Sequence, residues 1–255
     1  GMLAVLAGIA AYFFLINSPQ DAKFLEKDEK KALLDVMALE DTVKEETGPR
    51  GVFAAMKNGK VWYFTVIYFC LQVAVYGVTF YLPQQVAQLT GQKVGLAVGL
   101  MAAIPWFFGI FACYFIGRAA NTVVRRRVWG TGLFISTGLC IFGSAWAGAN
   151  HIPALGIVFI SLAVCSFLSI GPIAWSYPTA FLTGTAAAAG IGLINSLGNL
   201  GGFVAPILRT SVNQITASDT GTMGVYALGV LPFLAAAMMF ATRRFKNKAD
   251  ELLEQ

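Results

Sequence analysis

Residues 61–87 read VWYFTVIYFCLQVAVYGVTFYLPQQVA, a stretch without one charged side chain. At about 1.5 Å per residue, about 20 residues of helix cross the roughly 30 Å of hydrocarbon in a bilayer. The stretch is continuously apolar rather than alternating, which favours a helix over a strand of a membrane barrel. It therefore predicts a transmembrane helix.

The same pattern recurs along the rest of the chain. Five more apolar runs of about this length cover residues 94–116, 128–148, 154–174, 187–208 and 223–242. Residues 1–16 are also apolar and predict the end of a further transmembrane helix. The fold class that follows is an all-α membrane protein with a six-helix bundle.

Composition supports a lipid environment and argues against several other classes. Hydrophobic residues make up 57% of the chain and charged residues 12%, against roughly 25% charged in an average soluble domain. Although the net charge is +5, the basic residues flank the apolar runs, where they face lipid headgroups, so nucleic-acid binding is not expected. The four cysteines form no CxxC pair, and neither a metal nor a cofactor is expected.

The basic residues also predict the orientation in the membrane. If six helices alternate, the loops on one side hold 16 of the 18 Lys and Arg residues, and Lys93 and Arg209 lie alone in loops on the other side. The positive-inside rule then places the linker and the C-terminal tail in the cytoplasm, with the chain a multi-pass protein of the plasma (inner) membrane.

The segment at residues 18–50 has the composition of a soluble stretch rather than of a membrane span. It contains nine of the 13 acidic residues, and its run EKDEKKALLDVMALE predicts an amphipathic helix. The organisation expected is the end of a transmembrane helix, a cytoplasmic linker with this helix, the six-helix bundle and a cytoplasmic tail, at residues 1–16, 17–60, 61–242 and 243–255.

Polar side chains line one face of the first full helix. Tyr68, Gln72, Tyr76 and Thr79 recur at spacings of four, four and three residues. A polar stripe in lipid is expected to face inward, where it lines a substrate path or joins neighbouring helices by hydrogen bonds. Gln72 is the foremost candidate for contact with a solute.

A second polar group lies in a glycine-rich helix. Asn195 and Asn199 are one turn apart, with Ser196 beside them, and amides at this depth need partners. They are candidates for substrate contact, with interhelical hydrogen bonding as the alternative. The surrounding glycines are predicted to be close-packing positions; they are Gly190, Gly192, Gly198, Gly201 and Gly202.

Two prolines mark the end of another run. In GPIAWSYPT, Pro172 and Pro178 bracket Trp175 and Tyr177. Because proline breaks the backbone ladder, this end is expected to be kinked or unwound, with Trp175 a candidate for gating and substrate contact. Tyr177 fits an interfacial anchor and His151 an exposed turn residue.

Three stretches carry a family resemblance. YPTAFLTGTAAAAGIGLINSLGNLGGF (residues 177–203) closely resembles helices ten and eleven of the anion:cation symporter branch of the major facilitator superfamily. SPQDAKFLEKDEKKAL (residues 18–33) is similar to the central linker of that branch, and IYFCLQVAVYGVTFYLPQ (residues 67–84) to its seventh helix. Within the branch, the chain looks most like tartrate and 4-hydroxyphenylacetate permeases.

The resemblance implies a transporter of twelve helices in two bundles, which alternate access to a site between them. This chain would be its C-terminal half, its partners the N-terminal half, the bilayer, a small organic anion and H⁺. Asn195 and Asn199 would face the central cavity. A family motif between helices eight and nine implies gating residues, with Asn121 in place of the usual Asp; they are Gly117, Asn121, Arg125 and Arg126, followed by Arg127. A basic loop that only sets topology is the alternative.

The absence of acids bears on mechanism. The predicted spans contain no Asp or Glu, whereas proton-coupled carriers normally use an intramembrane carboxylate. The resemblance implies that the coupling group and the anion-binding arginine lie in the N-terminal half. No catalytic constellation is present, so an enzyme is not expected. A facilitator, a channel, a structural membrane subunit and sodium coupling remain alternatives.

Overall fold

The computed structural model describes residues 2–16, 18–47, 49, 51–217 and 221–245. Within these residues every regular element is a helix and no strand occurs. The chain divides into two compact units, Gly1–Gly48 and Pro49–Gln255. The linker boundary expected at residue 60 therefore lies inside the second unit.

The first unit contains α1 (Met2–Phe14), a 3₁₀ turn (Pro19–Asp21) and α2 (Lys27–Thr47). At the start of α2 the Glu29 carboxylate accepts a hydrogen bond from the Glu26 backbone N–H at 3.1 Å, which satisfies a donor that the helix leaves unpaired. Lys30 Nζ donates to the Gln20 carbonyl at 2.8 Å and so joins the turn to the helix. A helix is present where the mixed charged and apolar pattern predicts one.

In its described residues the second unit contains eight α-helices, of which six are long and apolar enough to cross a membrane. The two short ones are α3 (Val52–Lys57) and α5 (Leu82–Thr90). The long ones are α4 (Gly59–Thr79), α6 (Leu96–Ala119), α7 (Val123–Ala149), α8 (Pro153–Thr179), α9 (Gly184–Ile215) and α10 (Thr222–Ala241). The predicted all-α class is confirmed, and each of the six predicted apolar runs overlaps one of these long helices.

The long helices pack in a few main pairs. α4 packs against α9, α7 packs against both α8 and α10, and α6 packs against α8. Buried aromatic side chains such as Phe134 and Phe167 fill the centre. α6 turns Leu100, Ile110 and Phe115 outward, an arrangement that suits a helix solvated by lipid rather than water.

The first predicted span is divided. α4 ends at Thr79 and α5 begins at Leu82, so residues 61–87 do not form one helix. Pro83 has no backbone N–H to bond back to Thr79, and its ring would meet that carbonyl in a continuous helix. Proline is tolerated in the first turn of a new helix, where α5 places it.

α8 remains helical through Pro172 and Pro178 as far as Thr179, so the unwinding expected as one form of this end is wrong, and the kink stays a prediction. The end expected for the next helix is also wrong. α9 extends to Ile215, which places Arg209 inside a helix rather than in the loop expected for it. The polar end of α9 is held because Asn213 Oδ1 accepts a hydrogen bond from the Gly224 N–H of α10 at 2.6 Å.

Candidate functional site

The polar stripe of α4 meets the asparagine pair of α9. Gln72 is buried, with 9% of its surface exposed, and its Nε2 donates to Asn199 Oδ1 at 2.6 Å. The Tyr76 hydroxyl lies 3.5 Å from the same oxygen and donates a weaker hydrogen bond. One asparagine oxygen thus collects two donors from the facing helix.

The contact continues along α9. Asn199 Nδ2 donates to the Asn195 carbonyl at 2.7 Å and to Asn195 Oδ1 at 2.9 Å. Gln72, Asn199 and Asn195 therefore form a chain of amides, which we call the amide cluster. Its outer end is exposed, because the Asn195 side chain is accessible and its Nδ2 group has no partner among the described residues. The cluster is fixed at one end and offers a free donor at the other.

Aromatic rings extend the cluster on one side. The Tyr68 and Trp175 rings meet edge to face, with centroids 4.9 Å apart and planes at 62°. The Tyr68 ring also lies against Gly198, the residue before Asn199, where a Cβ atom would overlap it. Through Tyr68, Trp175 of α8 is thereby linked to α9 at the residue before Asn199. Ser196 lies exposed on α9 and has no side-chain hydrogen bond to these groups.

Glycines allow α4 and α9 to approach this closely. A Cβ atom on Gly201 would lie 2.6 Å from the Phe69 carbonyl oxygen and 2.9 Å from the Val73 nitrogen, distances that real Cβ contacts do not show. A Cβ atom on Gly202 would lie 2.7 Å from the Tyr76 ring. The packing role predicted for Gly190, Gly198, Gly201 and Gly202 is confirmed. It is wrong for Gly192, which has nothing within 4 Å.

The residues expected to act in gating lie elsewhere, around the α6–α7 turn. Arg125 Nη1 donates to Asn121 Oδ1 at 3.1 Å, and Arg126 Nε donates to the Ala120 carbonyl at 3.3 Å. Gly117 is exposed in the last turn of α6. Asn121 thus accepts a hydrogen bond from Arg125 through a neutral amide oxygen, where an acid would form an ion pair. A gating role stays a prediction.

Sequence reasoning missed a second polar group, near the C-terminal end of α9. The Arg209 guanidinium carbon lies 3.8 Å from the centre of the Tyr81 ring. Its Nη1 is buried and has no hydrogen-bond partner among the described residues, and the same holds for Gln85 Oε1. In the sequence, Arg209 is a single basic residue next to a polar stretch, a pattern that also fits an ordinary loop. The structure places it in α9, which α10 holds through the bond from the Gly224 N–H to Asn213.

Comparison with known proteins places this bundle in a family. The family profile described as Major Facilitator Superfamily matches residues 1–206, which is well over half of the chain. The chain belongs to the Major Facilitator Superfamily.

Curated relatives agree with this membership. The chain is 37% identical over 243 residues to the "Inner membrane transport protein RhmT" of Escherichia coli, covering 95% of this chain and 54% of that protein. It is 32% identical over 250 residues to a "Putative tartrate transporter" of Agrobacterium vitis, covering 97% and 54%. It is 28% identical over 233 residues to a "Quinolone resistance transporter" of Acinetobacter baumannii, covering 91% and 52%. The chain spans about half the length of these superfamily members.

The membership sets the class of the protein. It is a multi-pass membrane protein of a transporter family and not of an enzyme family. The relatives differ in the solutes that their names mention, tartrate in one and quinolones in another. The family by itself therefore leaves the solute to be argued from the site.

Proposed function

We propose that this chain forms one of the two bundles of a secondary active transporter that carries a small organic anion by alternating access, coupled to protons. The observation that carries the proposal is the amide cluster, a set of neutral hydrogen-bonding groups fixed near the middle of two membrane-spanning helices. Transporters of this kind bind their solute near the bilayer midplane, between two bundles.

The exposure of the cluster supports a cavity rather than a lipid surface on this side. Asn195 and Ser196 are exposed in the middle of α9, on the same face as Phe203, which is 70% exposed. Uncompensated amide and hydroxyl groups cost free energy when they face hydrocarbon. This face of α9 is therefore expected to meet water, solute or the opposite bundle.

The chemistry of the cluster suits an oxygen-rich solute. The Asn195 amide can donate a hydrogen bond to a carboxylate or hydroxyl without adding a charge. Trp175 and Tyr68 add a pair of aromatic rings, of which Tyr68 packs on α9 at Gly198, beside Asn199 in the sequence. A hydroxylated carboxylate of the tartrate kind fits such a surface, and a relative bears the name of that solute.

The charge distribution suggests the orientation. The α6–α7 turn and the segment after α10 carry the basic clusters, and both lie at the same end of the bundle. The positive-inside rule places that end, and with it the C-terminus, in the cytoplasm. The name of the relative from Escherichia coli agrees with an inner-membrane location.

Coupling to protons requires a group that this bundle does not supply from its spans. No Asp or Glu occurs in the six spans, and a carboxylate is the usual proton carrier inside a membrane. We therefore assign the coupling carboxylate to the opposite bundle. The amide cluster would form the neutral side of the site.

We expect the full-length protein, reconstituted into vesicles, to accumulate radiolabelled tartrate when an inward proton gradient is imposed. Uptake should saturate, and a sodium gradient of the same size should leave it unchanged. Gradient-independent flux would identify a facilitator or channel instead. No flux across a panel of hydroxylated, aliphatic and aromatic carboxylates would overturn the anion assignment.

A second expectation concerns this chain alone. Cells that express only residues 1–255 should show no uptake above background, because alternating access needs two bundles that move around one site. Co-expression with the remaining part of the transporter is the control, and should restore uptake. Saturable uptake by the isolated chain would contradict the two-bundle proposal.

A further inference from the structure

A cavity of about 370 Å³ opens at the end of the bundle opposite the basic clusters. It lies between α5, α7, α9 and α10, and its polar lining includes Gln85, Ser144, His151 and Arg209. Arg209 is ten residues beyond Asn199 on α9, which is roughly 15 Å along a helix at about 1.5 Å per residue. The cavity is thus separate from the amide cluster.

The guanidinium of Arg209 is held in place, and no carboxylate among the described residues pairs with it. Its central carbon lies 3.8 Å from the centre of the Tyr81 ring, a cation–π contact that orients the side chain but supplies no acceptor to its N–H groups. The buried Nη1 has no partner among the described residues. A cationic donor left this way is costly unless an acceptor comes from outside the described chain.

Contacts with α10 fix the part of α9 that carries Arg209. A Cβ atom on Gly224 would overlap the Arg209 carbonyl oxygen, so α9 and α10 pack with their backbones in contact here. The Gly224 N–H bond to Asn213 lies one turn further along α9. Arg209 therefore sits on a rigid part of the bundle.

Two further polar side chains of the cavity are a hydroxyl and an amide. Ser144 is buried at the wall, and Gln85 contributes an amide that can donate through its Nε2, whereas its Oε1, an acceptor, has no partner among the described residues. No carboxylate is among the described residues that line the cavity. A positive group, an amide and a hydroxyl around one space are the donors that an oxyanion needs.

We propose that this cavity is a binding site for a small oxyanion, held by Arg209 with help from Gln85 and Ser144. A planar guanidinium matches the two oxygens of a carboxylate or a phosphate. The bound group could be a soluble carboxylate or the phosphate of a lipid headgroup, since both present the same oxygens. The proposal does not require that this anion be the transported solute.

The test uses a thiol introduced at position 151, an exposed residue on the cavity wall. Full-length His151→Cys protein in phosphatidylcholine nanodiscs is treated with a membrane-impermeant thiol reagent, and the labelling rate is measured at increasing tartrate. Protein with His151 intact gives the background from the native cysteines. We expect tartrate to slow the labelling of the introduced thiol.

Variants in the His151→Cys background then identify the group that binds. Arg209→Gln should raise the half-protecting tartrate concentration about 10- to 100-fold, the usual effect of losing hydrogen bonds from a charged donor. Arg209→Lys should lie between this variant and the unsubstituted background, because it keeps the charge but not the paired N–H groups. Lys93→Gln removes a charge from an exposed residue at the same end of the bundle, outside the lining, and should leave protection unchanged.

Further arms separate the possible causes. Asn199→Ala, which weakens the amide cluster, should keep full protection of the introduced thiol even though uptake falls. This arm distinguishes a failure of the cavity proposal from a failure of the proposed function. Slow labelling without tartrate in nanodiscs that contain phosphatidylglycerol, reversed by Arg209→Gln, would identify a lipid headgroup as the oxyanion.

If Arg209→Gln does not yield monodisperse protein, Gln85→Leu gives the same test from another helix and should weaken protection about tenfold. Equal protection with and without the Arg209 and Gln85 substitutions would overturn the proposal. So would labelling that neither tartrate, up to about 10 mM, nor anionic lipid slows.

Discussion

Replacing Asn199 with alanine is expected to raise the Michaelis constant for uptake by the full-length transporter about 10- to 100-fold. Asn199 Oδ1 accepts from Gln72 and Tyr76, and its Nδ2 orients Asn195. The substitution leaves the buried Gln72 amide without its partner and frees the Asn195 side chain. Initial rates over a range of solute concentrations measure the effect.

An isosteric change separates recognition from packing. Asn199→Asp loses the Nδ2 donor to Asn195, as Asn199→Ala does, but keeps an oxygen that accepts from the buried Gln72 amide, so the protein should still purify as a single species. The carboxylate would repel an anionic solute at short range, and uptake should fall at least as far as in Asn199→Ala. Normal uptake by Asn199→Asp would contradict an anion site at the amide cluster.

Thr210→Val is the matched control on the same helix. The Thr210 hydroxyl bonds only to carbonyls of its own helix, Pro206 and Ile207. Its loss should leave the Michaelis constant within about twofold of wild type, since such exposed hydrogen bonds contribute little. A large effect at Thr210 would show that substitutions on α9 act through the helix in general.

Replacing Gly201 with leucine is expected to remove most of the folded protein. The first side-chain atom would overlap the Phe69 carbonyl and the Val73 nitrogen, both backbone atoms of α4. Overpacking a core typically costs about 1–3 kcal/mol where side chains can yield, and here the two helices themselves must separate. The yield of monodisperse protein and its apparent melting temperature measure the loss.

Graded and control substitutions make this expectation specific. Gly201→Ala should lower the apparent melting temperature by about 2–4 °C for each kcal/mol lost. Gly132→Leu on α7 is the control, because Gly132 is exposed and a Cβ atom there would meet nothing within 4 Å. Equal stability of the Gly201 and Gly132 variants would show that α4 and α9 do not meet through this glycine.

The predictions for Asn199 and Gly201 both depend on the contact between α4 and α9, which could be predicted from the sequence only in part. The stripe on α4 and the asparagines on α9 could each be recognised from spacing within a single helix. Their contact could not, because Gln72 and Asn199 are 127 residues apart and no local rule joins them. The spacing left a choice between solute contact and interhelical bonding, and the structure places Gln72 and Asn199 in interhelical bonds while leaving the Asn195 amide open.

The sequence by itself determined the class and the six spans of this protein. Lipid supplies no hydrogen bonds to the backbone, so an apolar run of about 20 residues must become a helix whatever packs beside it. Tertiary structure decided the rest: that Pro83 separates two helices, that Gly201 packs against the backbone of α4 while Gly132 has open space beside it, and that Arg209 lies in a helix. These depend on which surfaces meet, and a residue's own sequence neighbours carry no record of the atoms packed against it from elsewhere in the chain.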